Sequence, residues 1–155
     1  MFKFGLIGCG NISRAYGRAI AELPNAVIDC VYDIDPSHSQ AYSEKYGPRI
    51  CASYEELLAS DIDAVCVCLP SGIHVPYAIQ AARAGKNVVV EKPLGITVQQ
   101  LDEMEQAAKE TGVKVGCISQ LYFTDGYQKA KKAVDEGKLG RIYLMEVSMK
   151  YYRDA

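Results

Sequence analysis

Three stretches of the 155-residue sequence carry residue types and spacings that could do chemistry. The first is "VVVEKPLG", where Val88, Val89 and Val90 run into Glu91, Lys92 and Pro93. Consecutive valines suit a strand buried on both faces, and proline cannot continue a ladder, so the charged pair falls at a strand's carboxyl end. A lysine there can donate hydrogen bonds to a ribose or substrate hydroxyl, and partial burial can lower its pKa toward a proton-transfer role. The proline fixes the bend that aims it, a bend a cis bond would also serve. Outside such a setting the same residues read better as a surface ion pair before a turn.

The second stretch is "GLIGCGNISRAYG", in which Gly8-Cys9-Gly10-Asn11-Ile12-Ser13 occupies a G-x-G-x-x-G frame between a strand and a helix. Gly8 permits a tight turn, and Gly10 lets backbone N–H groups approach a pyrophosphate at the helix N-terminus. Ser13 replaces the third glycine but is small enough for close helix packing. An acidic residue about 20 positions on is then expected to hold the adenine ribose, and Asp33 lies 20 positions after Ser13. Asp35 competes, yet Asp35-Pro36-Ser37 has the form of a helix start, with Asp35 as N-cap. No arginine or lysine lies near Asp33 in sequence to pair a 2′-phosphate, and its own charge repels one, so NAD is favoured over NADP. The competing reading is a glycine turn and a strand-ending aspartate in some other α/β protein.

The third stretch is "CLPSGIHVPYA", where Pro70 ends a ladder and His74 stands at the entry to a helix. Ligands of open α/β sheets bind over such carboxyl ends. His74 is balanced between contact with a cofactor or substrate and a purely local hydrogen bond.

The elements that must position these residues are legible from period. Short β-rich runs, "KFGLIG", "AVIDCVYD", "DAVCVCLP", "NVVVEKP" and "VKVGCIS", alternate with helical segments. In "NISRAYGRAIAEL" the apolar Ile12, Tyr16, Ala19, Ile20 and Leu23 fall on one helical face. Gly85 and Gly112 stand where helix C-termini want a left-handed residue. "PRICAS" and "YEELLAS" are expected to form a short strand and about two helical turns. This order predicts a doubly wound parallel sheet, a Rossmann-type α/β fold, over residues 1–120. Residues 121–155 read as a connecting surface helix and then a long alternating strand, "RIYLMEVSMKYYRDA", the first of a C-terminal α+β domain whose other strands are not in this sequence.

Composition narrows the class. Charged residues make up 23% with a formal net charge of −2, which gives no basic face for nucleic acid. No apolar run approaches the roughly 18–20 residues needed to span a bilayer, and "MFKFGLIG" lacks the features of a secretory signal, so a cytoplasmic protein is expected. The six cysteines form no C-x-x-C pair and read as reduced core residues. With only His38 and His74 beside them, no metal site is expected.

Taken in order, "GLIGCGNIS", "VYDIDP", "LPSGIHVPYA" and "VVVEKPLG" resemble the Gfo/Idh/MocA oxidoreductases, and the closing "GKLGRIYLMEVSM" resembles that family's passage into its second domain. The resemblance implies hydride transfer between a nicotinamide cofactor and a hydroxyl-bearing carbon of a sugar, cyclitol or related polyol. It implies Lys92 as the catalytic-site lysine, hydrogen-bonding the reacting hydroxyl and the cofactor ribose. Glu91 and Pro93 would shape the turn. Gly8, Gly10, Asn11 and Ile12 would cradle the pyrophosphate, and Leu69, Pro70 and His74 would line the cofactor cleft. Gln120 resembles a polar residue after the sixth strand, while Tyr122 stands where an arginine is common. The family is longer, its catalytic aspartate and histidine lie in the second domain, and its members often form homo-oligomers through that domain's sheet. The chain is therefore expected to bind NAD(H) and to turn over little substrate alone. A dinucleotide-sensing protein without chemistry is the alternative.

Overall fold

The computed structural model describes residues 1–148, 150 and 152. It divides into two compact units, Met1–Ile118 and Ser119–Ala155. That division comes before Gln120, which falls in the second unit rather than closing the first.

The first unit alternates strands and helices: β1 (Phe2–Ile7), α1 (Ser13–Ala21), β2 (Ala26–Tyr32), α2 (Pro36–Tyr46), β3 (Arg49–Ile50), α3 (Tyr54–Ala59), β4 (Ala64–Val67), α4 (His74–Arg83), β5 (Asn87–Val90), α5 (Val98–Thr111) and β6 (Val115–Cys117). All strand pairs are parallel, in the order β3-β2-β1-β4-β5-β6. The order reverses between β1 and β4, which opens a crevice at their carboxyl ends.

Strand alternation sorts the core into two layers. Ile7, Val65, Val67, Val88 and Val90 pack with Leu57, Ala78, Ala81, Met104 and Ala107 of α3, α4 and α5. Leu6, Val31, Cys66 and Cys68 pack on the other face with Tyr16, Ile20 and Tyr42 of α1 and α2. The shared face of Cys66 and Cys68 follows from their spacing, and five of the six thiols are buried, Cys117 being the exposed one. β4 is buried along its whole length, as a central parallel strand should be. β5 is not: Asn87 and Val89 are only half-buried, so its valines do not all face a packed layer.

Helix ends follow local chemistry. The Asp35 carboxylate accepts from Ser37 N–H at 2.9 Å and caps α2 with Pro36 behind it. Gly112 closes α5 at φ 72°. In α1 the buried residues are Ser13, Tyr16, Gly17 and Ile20. Ile12, Ala19 and Leu23, expected on the same face, are exposed, because Ile12 and Leu23 lie outside the helix and Ala19 turns away from the sheet.

In the second unit, α6 (Asp125–Asp135) is solvated all round, as its charged sequence predicts. The strand expected over 141–155 is absent from its described part, residues 141–148, 150 and 152, and Tyr143, Leu144, Met145 and Val147 are exposed. A strand exists by pairing, and the sequence offers no neighbouring run to complete its ladder. The remainder of that expectation falls on residues 149, 151 and 153–155, outside the described residues. No described helix is long and apolar enough to cross a membrane.

Candidate dinucleotide site

The glycine loop is fixed by its backbone before any side chain is considered. Gly8 adopts φ 89°, and a Cβ there would stand 2.6 Å from the Cys68 carbonyl oxygen, so both conformation and space demand glycine. Its N–H donates to the Tyr32 carbonyl at 2.9 Å, extending the β1–β2 ladder into the loop. The next N–H, of Cys9, donates to Asp33 Oδ2 at 2.7 Å, and Asp35 N–H donates to Asp33 Oδ1 at 2.9 Å. Asp33 is thus clamped at the edge of the crevice, 11% exposed in its side chain, with lone pairs left on both oxygens.

Ser13 does what its small size predicts and more. It is fully buried, its hydroxyl donates to the Gly10 carbonyl at 2.6 Å, and its own carbonyl accepts from the Tyr42 hydroxyl at 3.0 Å. The close approach of α1 to α2 falls one turn later: a Cβ on Gly17 would lie 2.8 Å from Tyr46 ring carbons. The packing role of a third loop glycine is therefore met by Gly17, a position sequence reasoning passed over.

A cleft of about 470 Å³ opens over these groups. Gly8, Gly10, Asn11, Ile12, Asp33, Leu69 and Pro70 all line it. Seven further lining residues were missed in sequence: Ile7, Tyr32, Ile34, His38, Cys68, Ile73 and Tyr77. Ile34 is 89% exposed, an apolar side chain left out of the core beside Asp33, and its place directly after the acidic residue was the available signal. The cleft fits a dinucleotide on two counts. Nothing lies within 4 Å of where a Gly10 side chain would begin. Ile12, the N-cap of α1, supplies no side-chain cap, so the first N–H groups of the helix are left for an anionic ligand.

His74 is not in that cleft. It is fully buried, with Nδ1 2.8 Å from the Pro93 carbonyl oxygen and Nε2 2.6 Å from the Leu69 carbonyl oxygen. The expectation that it lines the cleft is corrected: its ring bridges the loop after β4 to the turn after β5, the local hydrogen-bonding role. Glu91, expected among the cofactor contacts, also turns inward. It is 6% exposed and accepts from the Tyr16 hydroxyl at 3.0 Å and from Lys92 N–H at 3.3 Å. Burial first, then the neighbouring Cys68 thiol and the Glu91 carboxylate, hold the Tyr16 phenol far above its ordinary range, so it remains a donor.

Lys92 projects from that braced turn, which contains a cis Lys92–Pro93 bond. Its side chain is exposed, makes no hydrogen bond or ion pair among the described residues, and is not part of the cleft lining. Gln120 belongs to a short 3₁₀ turn of the second unit. Burial, with Asp33 as the lesser cause, pushes the Cys9 thiol up to about 12, and the Cys68 thiol rises further for the same first reason. The sulfurs around the loop are therefore neutral packing atoms, not nucleophiles.

Residues 2–119 match the family described as "Oxidoreductase family, NAD-binding Rossmann fold", GFO_IDH_MocA. An uncharacterized oxidoreductase of Streptococcus pneumoniae is 33% identical over 92% of this chain and 38% of its own length. The inositol 2-dehydrogenase of Rhizobium meliloti is 27% identical over 94% of this chain and 44% of its own. Among solved structures, the WlbA dehydrogenase of Bordetella pertussis in complex with NADH and UDP-GlcNAcA superposes with a TM-score of 0.87 at 36% identity, covering 92% of this chain and 42% of that one. The chain thus spans less than half the length of these relatives. Sheet order, glycine loop and the match over residues 2–119 agree, and the chain belongs to the Gfo/Idh/MocA oxidoreductase family.

Proposed function

We propose that this chain is the cofactor-holding part of an NAD-dependent dehydrogenase that acts on a hydroxyl-bearing carbon of a sugar, cyclitol or related polyol. The observation that carries the reading is the clamp of Asp33 by the Cys9 N–H, which sets a carboxylate with free lone pairs beside an open glycine loop. Those lone pairs suit the two hydroxyls of an adenine ribose, and the carboxylate charge disfavours a 2′-phosphate there. The uncapped start of α1 takes the pyrophosphate, and Ile34, Ile73 and Leu69 give apolar walls to the cleft. A bound nicotinamide supplies the hydride acceptor or donor.

The chain's own contribution to chemistry is Lys92. Tyr16, Glu91 and His74 hold the turn from which it projects, so its ammonium is presented from a fixed backbone at the carboxyl end of β5. There it donates a hydrogen bond to the substrate hydroxyl and stabilises negative charge that develops on that oxygen. Nothing among the described residues places a second acid or base beside it, so turnover needs groups from outside this chain. The exposed state of Lys92 also suits the alternative of a dinucleotide sensor, which needs the cleft and not the lysine. The five buried thiols, all free, suit a reducing compartment such as the cytoplasm.

Turnover decides between these readings. Assayed with NAD and a panel of polyols and sugar nucleotides, the 155-residue chain should reduce no cofactor. A longer chain carrying the region present in the relatives should do so, and Lys92→Ala in it should lower kcat by about 10²–10⁴-fold. Full kcat without the lysine would leave only the binding role.

A further inference from the structure

His74 opens α4 and is fully buried, yet its ring faces only acceptors. Nδ1 lies 2.8 Å from the Pro93 carbonyl oxygen and Nε2 lies 2.6 Å from the Leu69 carbonyl oxygen. A neutral imidazole has one N–H, and its other nitrogen is itself an acceptor. The neutral ring can therefore serve one carbonyl and must set a lone pair against the other. Turning the ring over gives no escape, since carbon atoms would then stand where the nitrogens do, well inside the roughly 3.3–3.6 Å of a C–H···O contact. An imidazolium donates from both nitrogens, and both distances fall at the short end for N–H···O bonds, where charged donors lie.

No other donor among the described residues reaches either carbonyl oxygen, so the ring alone serves both. The titratable groups around it leave the charge to these carbonyls. Cys68 precedes Leu69, and burial raises its thiol so that it stays neutral. In the turn after β5, Lys92 is exposed, and the Glu91 carboxylate accepts from the Tyr16 hydroxyl and from Lys92 N–H rather than from the ring. Tyr77 is half-buried one turn along α4, while Arg83 and the charged side chains of α5 are exposed, and none of them bonds to the ring. The positive end of α4 opposes the charge, and the two carbonyl dipoles offset it. Leu69 lines the cleft and Pro93 directly follows Lys92, so the ring joins the two halves of the site.

We propose that His74 holds a proton on each ring nitrogen and acts as a positioning residue for Lys92. Its imidazolium ties the cleft at Leu69 to the Lys92–Pro93 turn, a role that rests on, and deepens, the reading of Lys92 as the group that meets the substrate hydroxyl. With the second proton lost, a bare nitrogen faces one of the two carbonyls and repels it. That end of the bridge then opens, and Lys92 is no longer held at a fixed place relative to the cleft. Presentation of Lys92 therefore depends on a buried proton that touches neither substrate nor cofactor, and it fades as pH rises.

Nitrogen-15 NMR of the imidazole rings of the chain tests the proton count. His38, more than half exposed, is the only other histidine, and His38→Gln leaves the His74 signals alone in the spectrum. At about pH 7 both His74 nitrogens should be protonated, each with a slowly exchanging N–H. One bare nitrogen there would overturn the proposal, whatever Lys92 does. As pH is raised, the backbone amide signals of Leu69 and Lys92 should move with the same midpoint as the ring, and amides that ignore the ring would overturn the positioning role. In a longer chain carrying the region present in the relatives, His74→Gln should lower kcat about 10–100-fold, keep KM for NAD within about threefold and remove the fall in kcat at high pH. An unchanged kcat or pH profile in that variant would also overturn it. Unimpaired kcat in Lys92→Ala beside two ring N–H signals would instead overturn the Lys92 reading, and the positioning role with it.

Discussion

The two ends of the site are built to different degrees of completion. At the glycine-loop end every group is fixed inside the chain: Gly8 by a conformation and a contact that exclude a side chain, Cys9 by its bond to Asp33, Ser13 and Gly17 by burial against α2. At the Lys92 end the bracing is equally firm but lies beneath the surface, in Tyr16–Glu91 and in His74 between two carbonyls, while the lysine itself is exposed and unpartnered among the described residues. Binding a cofactor needs only the first end. Catalysis needs a wall and proton acceptor over the second, and the solved relatives are more than twice as long. The proposed division, cofactor binding within this chain and turnover with further groups, rests on that contrast.

The sharpest way to break the contrast is at its most constrained point. Gly8→Ala places a Cβ against the Cys68 carbonyl at an unfavourable φ, and should cost about 2–4 kcal/mol in urea unfolding along with cofactor binding. A loss well under 1 kcal/mol would mean the loop is not held as described. Tyr16→Phe comes next, since it leaves a buried carboxylate short of a donor. It should cost about 1–3 kcal/mol, and a double-mutant cycle with Glu91→Gln should show coupling. Lys92→Ala touches nothing in the described residues and should change stability by no more than about 0.5 kcal/mol, so a larger loss would reveal a structural role.

The thiols give the smallest and most local test. Cys117, exposed at the Lys92 side of the sheet, should react with a thiol reagent well before the other five, which should become reactive only on unfolding. Burial pushes Cys66 up to about 12 from an ordinary 9.0, as it does Cys9. Because the folded values lie above the unfolded ones, these thiols favour folding fully below pH 9 and lose that contribution as pH rises from 9 toward 12. Urea midpoints measured across that range should fall, and Cys66→Ala should flatten the fall.

The sheet and the glycine loop were legible in the sequence because each rests on a local rule: valine runs for buried strands, Gly8 and Gly10 for the turn, Asp35-Pro36 for the cap that singles out Asp33. Where side-chain direction mattered the sequence was silent. His74 and Glu91 sit in motifs that point at a ligand cleft, yet both turn inward, because partners far along the chain, Pro93 for one and Tyr16 for the other, offer buried hydrogen bonds. Gly17 was missed because its role depends on which helices pack together, whereas Ile34 had a local signal in its place directly after Asp33. The terminal strand failed differently, since its pattern was correctly alternating but pairing cannot be supplied by one strand alone.

The central claim, a dinucleotide cleft keyed by Asp33, is tested most directly by calorimetric titration of NADH into the chain and into Asp33→Ala. NADH should bind saturably and one-to-one, and the substitution should weaken it by about 10–100-fold and abolish the preference for NADH over NADPH. Undiminished NADH affinity in a folded Asp33→Ala chain, or no binding to the unaltered one, would contradict it.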